Sequence, residues 1–263
     1  MPSTPDPTLA LPRILCLHGG GVNGKVFQLQ CRGLLAGELS KHFRFVFING
    51  PFVCAPHGAI GTVYGDFAPF YRWLRWEPEH EELDARLAAL ELLDHCNDQM
   101  NADEGTGPWV GVLGFSQGAK MAANFLWMQE RLNGPVPMLA SDVRFRFGVF
   151  MAGSAPPVML DPHGVLQPVP RHIDTADTLG TSVFTDWPES NEGEHSIAAP
   201  TLHVHGLRDP GIEGHRKLFR WYVKPGTAKL VEWDGDHRIP LKKSDVQPVV
   251  DGILDMARQT GVL

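Results

Sequence analysis

The chain has 263 residues and a formal net charge of −7, with 43% hydrophobic and 20% charged residues. A globular chain of this length can bury about three quarters of its unfolded surface, so it needs neither a disulfide nor a metal to support a core. The acidic balance, which we attribute to solubility, and the absence of a Lys/Arg run argue against a nucleic-acid partner. No apolar run reaches the roughly 20 residues needed to span a membrane.

Two features predict a cytoplasmic location. The segment MPSTPDPTLALP is proline-rich and lacks the basic and apolar regions of a signal peptide, so residues 1–11 are expected to form a flexible lead-in. The four cysteines are far apart and form no CxxC pair, which argues against a disulfide framework; they are Cys16, Cys31, Cys54 and Cys96.

Short β-rich apolar runs alternate with longer amphipathic segments, which predicts an α/β fold: a mostly parallel sheet of about six or more strands with helices on both faces. The predicted strands are 13–18, 44–49, 109–115, 145–151, 200–205 and 228–233. The predicted helices are 25–38, 80–100, 117–131, 213–223 and 244–259. Within 80–100, four leucines at helical spacing are expected to cover the sheet; they are Leu83, Leu87, Leu90 and Leu93.

Two stretches do not fit this alternation. Residues 51–77 are aromatic and punctuated by Gly and Pro, and residues 153–198 are polar and lie between two predicted strands. A connection as long as the second is usually a functional loop or a lid. We therefore predict one domain, 1–263, in which 153–198 is an insertion or lid-like segment.

The most informative motif is G-F-S-Q-G, residues 114–118. It follows an apolar strand and precedes a helix rich in small residues, which is the strand–turn–helix setting of the G-x-S-x-G nucleophile elbow of α/β-hydrolases. Such a turn holds its nucleophile at positive φ, so only very small residues fit two positions to either side. Ser116 is therefore the predicted catalytic nucleophile.

A serine hydroxyl needs a base, and this fold places its triad in the chain order Ser, Asp/Glu, His. His237 follows the last predicted strand and is the predicted base. Of the other histidines, His215 falls in a predicted helix and His195 in the insertion. Asp209 follows the preceding strand and is the predicted orienting acid. Asp234 and Asp236 are nearer His237 in sequence, but such near neighbours rarely reach the ring Nδ1.

The glycine-rich segment 17–24, LHGGGVNG, follows the first strand and resembles the HGGG-type oxyanion loop. We predict the backbone amides of Gly20 and Gln117 as the oxyanion donors, which would stabilise the transition state by a few kcal/mol. A phosphate-binding loop is disfavoured because neither G-x-x-x-x-G-K-[ST] nor G-x-G-x-x-G is present.

No metal site or organic cofactor is predicted. His203 and His205 alternate on one strand, but no third ligand has suitable spacing, so we interpret both as core or loop-supporting residues.

Six aromatic residues are concentrated between positions 64 and 76. They either belong to the core or form a wall of an acyl pocket, since the segment is irregular and follows the second strand at the edge where ligands bind in such sheets. As substrate-binding candidates we take Tyr64, Phe67, Phe70 and Tyr71. On the second interpretation, segments 64–76 and 153–198 together form the pocket over Ser116.

The segments LCLHGGGVNGKVF, INGPF, GFSQGA, TLHVHGLRD and GDHRIP together resemble the fungal serine hydrolase family, from about residue 12 to about residue 258. The resemblance implies a small cytosolic α/β-hydrolase and places Ser116, Asp209 and His237 on the family triad. Some members are stand-alone esterases or thioesterases that act beside polyketide synthases. The sequence is more distantly similar to acyl-protein thioesterases and carboxylesterases.

These observations predict a serine esterase or thioesterase that works through an acyl-enzyme intermediate. The expected substrate is an apolar or polyketide-derived acyl group, either on a small molecule or on a carrier, and a polyketide synthase carrier domain is a candidate partner. Two alternatives stay open, an acyltransferase with the same triad and a non-catalytic ligand-binding module. Neither a nucleic acid nor a membrane is an expected partner.

Overall fold

The computed structural model describes residues 6–136, 139–140, 142–175 and 184–263. The strands in these ranges are β1 (Arg13–Leu17), β2 (Arg44–Ile48), β3 (Phe52–Cys54), β4 (Phe70–Arg72), β5 (Trp109–Phe115), β6 (Phe147–Met151), β7 (Val158–Met159), β8 (Asp174–Thr175), β9 (Thr201–Gly206) and β10 (Ala228–Trp233). The helices are α1 (Gly24–Gln30), α2 (Arg32–Leu35), α3 (Leu39–His42), α4 (Ile60–Tyr64), α5 (Ala85–Asn101), α6 (Gln117–Arg131), α7 (Ile212–Trp221) and α8 (Lys243–Gln259).

Six strands form one sheet in the order β10-β9-β6-β5-β1-β2, and every neighbouring pair is parallel. These are the six predicted strands, each within two residues of its predicted ends. Two small pairs lie apart from this sheet, β3 with β4 (antiparallel) and β7 with β8 (parallel). The predicted fold class is confirmed.

The core lies on both faces of the sheet. In β1, Ile14 and Cys16 join one buried cluster, whereas Leu15 and Leu17 join the other. This alternation follows from the two-residue period of a strand, and it explains why β5 and β6 contain only apolar residues and glycine. Buried residues of α5 and α6 pack in the cluster of Leu15, whereas Phe27 of α1 and buried residues of α2 and α8 pack in the cluster of Ile14.

The structure corrects two helix predictions. The predicted helix 25–38 is interrupted at Cys31, where α1 ends and α2 begins. The predicted helix 80–100 starts only at Ala85, because the Asp84 side chain caps its first amides. Leu87, from the predicted leucine stripe, is 60% exposed. The buried stripe is displaced around the helix and comprises Ala88, Ala89, Leu92, Leu93, Cys96 and Met100.

The segment 153–198 contributes to the main core in its described parts. Val158 and Leu160 are fully buried in the cluster that contains α6. Farther along, the Glu130 carboxylate of α6 accepts hydrogen bonds from the amides of Ala198 and Ala199. Residues 176–183 lie outside the described residues. What is described of this segment is therefore anchored on α6.

The described part of the predicted lead-in is held against the protein. Arg44 donates to the Asp6 carboxylate at 2.7 Å, and the Thr106 amide donates to the Leu9 carbonyl at 2.7 Å. Residues 1–5 of the predicted lead-in lie outside the described residues. No helix within the described ranges combines the length and the apolarity needed to cross a lipid bilayer.

Candidate active site

Ser116 occupies the tight turn between β5 and α6, with φ 53° and ψ −117°. A non-glycine residue at positive φ is strained, and such strain is concentrated at functional sites. The two glycines of the motif are required by their surroundings. A Cβ at Gly114 would overlap the Gly118 carbonyl, and one at Gly118 would overlap the Leu17 carbonyl of β1. The turn therefore packs against the neighbouring strand β1 and presents the Ser116 hydroxyl at the carboxyl-terminal end of β5.

His237 and Asp209 meet Ser116 at the carboxyl ends of the strands. The His237 Nε2 lies 2.9 Å from the Ser116 Oγ, and the His237 Nδ1 lies 2.7 Å from the Asp209 Oδ2. Both distances are those of good hydrogen bonds. The structure therefore brings the three predicted catalytic residues into one continuous chain of hydrogen bonds.

Asp209 is almost fully buried. Burial by itself raises the pKa of its carboxyl, but hydrogen bonds from His237 and from the Gly211 amide outweigh it, so the net pKa is below its ordinary value. A group with this environment is an anion at neutral pH. It can hold the His237 ring with Nδ1 protonated, which leaves Nε2 as the acceptor that faces the serine.

The alternative acids and bases either make other contacts or lie beyond hydrogen-bond distance of the triad. Asp234 pairs with Arg208, and Asp236 pairs with Arg238 at 3.0 Å. The His195 ring lies 3.0 Å from the Ser190 carbonyl, away from the serine. His215 is buried beside Asp209, with its Nδ1 3.9 Å from the Asp209 Oδ2.

Within the described residues, one group of side chains could hold a metal ion, namely Asp209, His215 and His237. Two ligand atoms around a tetrahedral metal with bonds of about 2.0 Å are roughly 3.3 Å apart. The 2.7 Å between the Asp209 oxygen and the His237 nitrogen is shorter and fits a shared proton. His203 and His205 are both buried in β9, and His203 packs against Phe150.

The glycine-rich loop is held in place by His18. The Gly50 amide donates to the His18 Nε2 at 2.9 Å, so the proton of the neutral ring is on Nδ1, which donates to the Gly19 carbonyl at 2.7 Å. Burial lowers the pKa of His18 to about 4, which keeps the ring neutral. In the described part of the chain, no acceptor takes the backbone amides of Gly20 or Gln117. Both predicted oxyanion donors line the cavity beside Ser116.

The cavity has a volume of about 370 Å³ and opens over Ser116. Its walls come from the turns after β1, β5 and β6, and from segments 64–76 and 153–198, which the sequence predicted to form the pocket. The lining residues from 64–76 are Leu74 and Trp76, with Arg75 between them. Those from 153–198 are Ser154, Val158 and Asp174.

None of the four predicted substrate-binding aromatics lines this cavity, so that prediction is corrected. Phe70 is buried in a separate small cluster with Val22 and Val26, against which Tyr64 packs. The backbone of Tyr71 pairs with the turn after β1, and Phe67 is 38% exposed. The antiparallel pairing of β3 with β4 fixes Phe70 and Tyr71 in β4, and the residues that follow, 74–76, lie in the cavity wall.

Sequence reasoning missed two roles. The Gln117 side chain accepts a hydrogen bond from the Trp73 amide at 2.7 Å and donates one to the Leu74 carbonyl at 2.9 Å. It therefore fixes the wall segment to α6. Lys120, four residues after Ser116, also lines the cavity. The sequence did carry a signal for the second role, namely a lysine near the start of a helix whose neighbouring residues are small or apolar.

A parallel sheet covered on both faces, with a serine on the strand–helix turn and a histidine and a buried aspartate within reach, defines the class of α/β-hydrolase-fold serine hydrolases. The family model described as Serine hydrolase (FSH1) matches residues 8–249. The chain therefore belongs to the serine hydrolase (FSH1) family.

Curated relatives are similar over nearly the full chain. Esterase citA of Monascus ruber is 46% identical over 263 residues, with 97% of this chain and 96% of the relative covered. Esterase claE of Penicillium crustosum is 42% identical, with the same coverage. Among solved structures, acyl-protein thioesterase 2 of Zea mays superposes with a TM-score of 0.54 at 15% identity, with 96% of each chain covered. TT1662 of Thermus thermophilus gives a TM-score of 0.52 at 15% identity, with 95% of this chain and 90% of that chain covered. These structures share the fold.

Proposed function

We propose that the protein hydrolyses carboxylic esters or thioesters, with Ser116 as nucleophile, His237 as general base and Asp209 as the residue that orients His237. The observation that carries the proposal is the chain of hydrogen bonds from Asp209 through His237 to Ser116 at the mouth of a cavity. His237 accepts the hydroxyl proton as Ser116 attacks the carbonyl carbon, and the amides of Gly20 and Gln117 hold the oxyanion.

The leaving alcohol or thiol departs with a proton from His237, and an acyl ester of Ser116 remains. Water then attacks this ester with the same histidine as base and releases the acid. His237 is partly exposed and is not among the described residues that line the cavity. The leaving group must lie near His237 to receive its proton. The acyl group therefore extends to the other side, into the cavity.

The acyl substrate is carried by a small molecule or by a carrier, and a polyketide synthase carrier domain is the macromolecular partner we propose to test. The relatives named esterases support ester chemistry, and the cavity volume suits an acyl group of moderate size. We propose further that the whole chain works as one domain in the cytoplasm.

The test is Ser116→Ala, assayed with acyl p-nitrophenyl esters and with a fluorophosphonate probe. Turnover should fall at least ~10³-fold and labelling should disappear, because the covalent route is lost. Ser40→Ala, which removes an exposed hydroxyl remote from the cavity, should match the wild type. Unchanged turnover in folded Ser116→Ala would contradict the nucleophile assignment.

A wild-type protein that neither reacts with the probe nor turns over esters would favour a binding module. Product analysis with an added alcohol distinguishes hydrolysis from acyl transfer.

A further inference from the structure

Lys120 is an unusual residue for the wall of an apolar cavity. It lies on α6 one helical turn after Ser116, so the two residues share a face of the helix. The residue is only 8% exposed, and it lines the cavity together with Leu74, Trp76 and Val158. Lysines are almost never buried to this degree unless they are paired.

The ammonium of Lys120 makes no hydrogen bond to any residue in the described ranges. Burial lowers its pKa to about 8, and the charge of Asp174 across the cavity opposes that shift. The group is therefore mostly protonated at neutral pH, with three donors and little solvent around them. Donors left without an acceptor in such a place cost free energy, which an oxygen of a bound ligand would recover.

The ligand group that reaches Lys120 must belong to the acyl chain, because the leaving group lies on the His237 side. Lys120 lines the same cavity as Ser116 from one helical turn farther along α6, so it faces the acyl chain rather than the leaving group. Asp174 lines the same region and disfavours a carboxylate there. A neutral oxygen, in contrast, can accept from Lys120 without repulsion.

We propose that Lys120 is a specificity-determining residue that donates a hydrogen bond to a second oxygen function, a ketone or a hydroxyl, within the acyl chain. The inference rests on the proposed function and names its substrate class as oxygenated acyl groups rather than plain fatty acyl groups. The apolar walls from Leu74, Trp76 and Val158 would hold the carbon chain, and Lys120 would select the position of the oxygen.

The experiment compares thioesters of one small thiol that share an eight-carbon acyl chain: octanoyl, 3-oxo-, 5-oxo- and 7-oxooctanoyl, and a chain that ends in a carboxylate. We expect the wild type to prefer one oxo isomer over octanoyl by about tenfold or more in kcat/KM, as a hydrogen bond from a charged donor allows. The carboxylate-terminated chain should be a poor substrate. Equal rates for octanoyl and every oxo isomer would overturn the proposal.

Lys120→Met keeps an unbranched side chain that is one atom shorter and removes the donor. The ratio of kcat/KM for the favoured oxo isomer to kcat/KM for octanoyl should then fall to about twofold or less. Lys25→Met is the matched control, since Lys25 is exposed on α1, and it should keep the wild-type preference. If Lys120→Met lowers all substrates equally and leaves the preference intact, the lysine is structural and the proposal is wrong.

This result is separable from the proposed function. Ser116→Ala should abolish turnover of every thioester in the series, whereas Lys120→Met should lower the preference for the favoured oxo isomer over octanoyl. A wild type that hydrolyses all the thioesters without preference would overturn the role of Lys120 and leave the hydrolase assignment standing. A wild type that hydrolyses neither these thioesters nor p-nitrophenyl esters would contradict both.

Discussion

Asp209 accepts two hydrogen bonds at the bottom of the candidate triad, from the His237 ring at 2.7 Å and from the Gly211 amide at 2.8 Å. Asp209→Asn keeps the shape but removes the charge, and the amide can force the imidazole into the wrong tautomer. We expect kcat to fall by orders of magnitude, though by less than in Ser116→Ala. Steady-state kinetics on a short acyl ester measure the effect.

The matched control is Asp234→Asn, because Asp234 pairs with Arg208 on the surface and does not reach His237. It should retain the wild-type kcat. If Asp209→Asn were fully active and Asp234→Asn or Asp236→Asn were not, the orienting acid would have to be reassigned.

His237 and His215 both lie near Asp209, which makes them a discriminating pair. His237→Ala should lose nearly as much activity as Ser116→Ala, because nucleophile and base act as a unit and their effects do not add. His215→Ala should retain most of the activity per folded molecule, since the His215 Nδ1 is 3.9 Å from the Asp209 Oδ2. The kcat of each purified, folded variant decides between them, and the reverse result would contradict the assignment of the base.

At the scale of elements, α6 organises the candidate site, since Gln117 and Lys120 lie on it and Ser116 precedes it. The Gln117 side chain also holds the wall segment by two hydrogen bonds to the backbone of Trp73 and Leu74. Gln117→Leu removes both bonds and leaves the backbone amide in place. We expect kcat/KM for octanoyl esters to fall about tenfold because the wall that carries Trp76 is released. Hydrolysis of acetyl esters should change much less.

The same helix provides a control for this prediction. At its far end, the Gln129 side chain makes an equivalent pair of bonds with the backbone of Phe145, at 2.8 and 2.9 Å. Gln129→Leu should lower the melting temperature about as much as Gln117→Leu does. It should leave the ratio of octanoyl to acetyl ester hydrolysis unchanged. An equal change of this ratio in both variants would mean that Gln117 acts only through the stability of α6.

Elements whose signals are local could be predicted from sequence. The six strands, the elbow at Ser116 and the positions of Asp209 and His237 follow from apolar runs, glycine sterics and chain order. The face of α5 was mispredicted, because the spacing was counted from Leu83, which precedes the helix that Asp84 caps. The aromatic wall was assigned to the wrong residues. The pairing of β3 with β4 turns Phe70 inward against Val22, and no local pattern encodes that tertiary contact.

At the scale of the whole molecule, the sheet and its loops bury several histidines that do not belong to the candidate triad. Burial lowers the pKa of His18 and His215 to about 4 and that of His205 to about 3. The pKa of His203 is lowered well below its ordinary value for the same reason. Both ring nitrogens of His205 lack a hydrogen-bond partner among the described residues. Burial outweighs the charge of Asp209 near His215 and His205, so these rings are neutral in the folded protein.

This arrangement predicts an acid-labile fold. The unfolded chain protonates these histidines near pH 6.5, whereas the folded protein does so only near pH 3–4. Their contribution to stability is therefore full above pH 6.5 and is lost as the pH falls towards 4.

His205→Phe removes one such group from the buried strand β9. Between pH 8 and pH 5, urea unfolding should show a loss of stability that is smaller than in the wild type by about 2 kcal/mol. His163→Phe changes a histidine that is exposed in the folded protein and should keep the wild-type pH dependence. If His205→Phe lost as much stability as the wild type over this range, burial of His205 would not be a source of the acid lability.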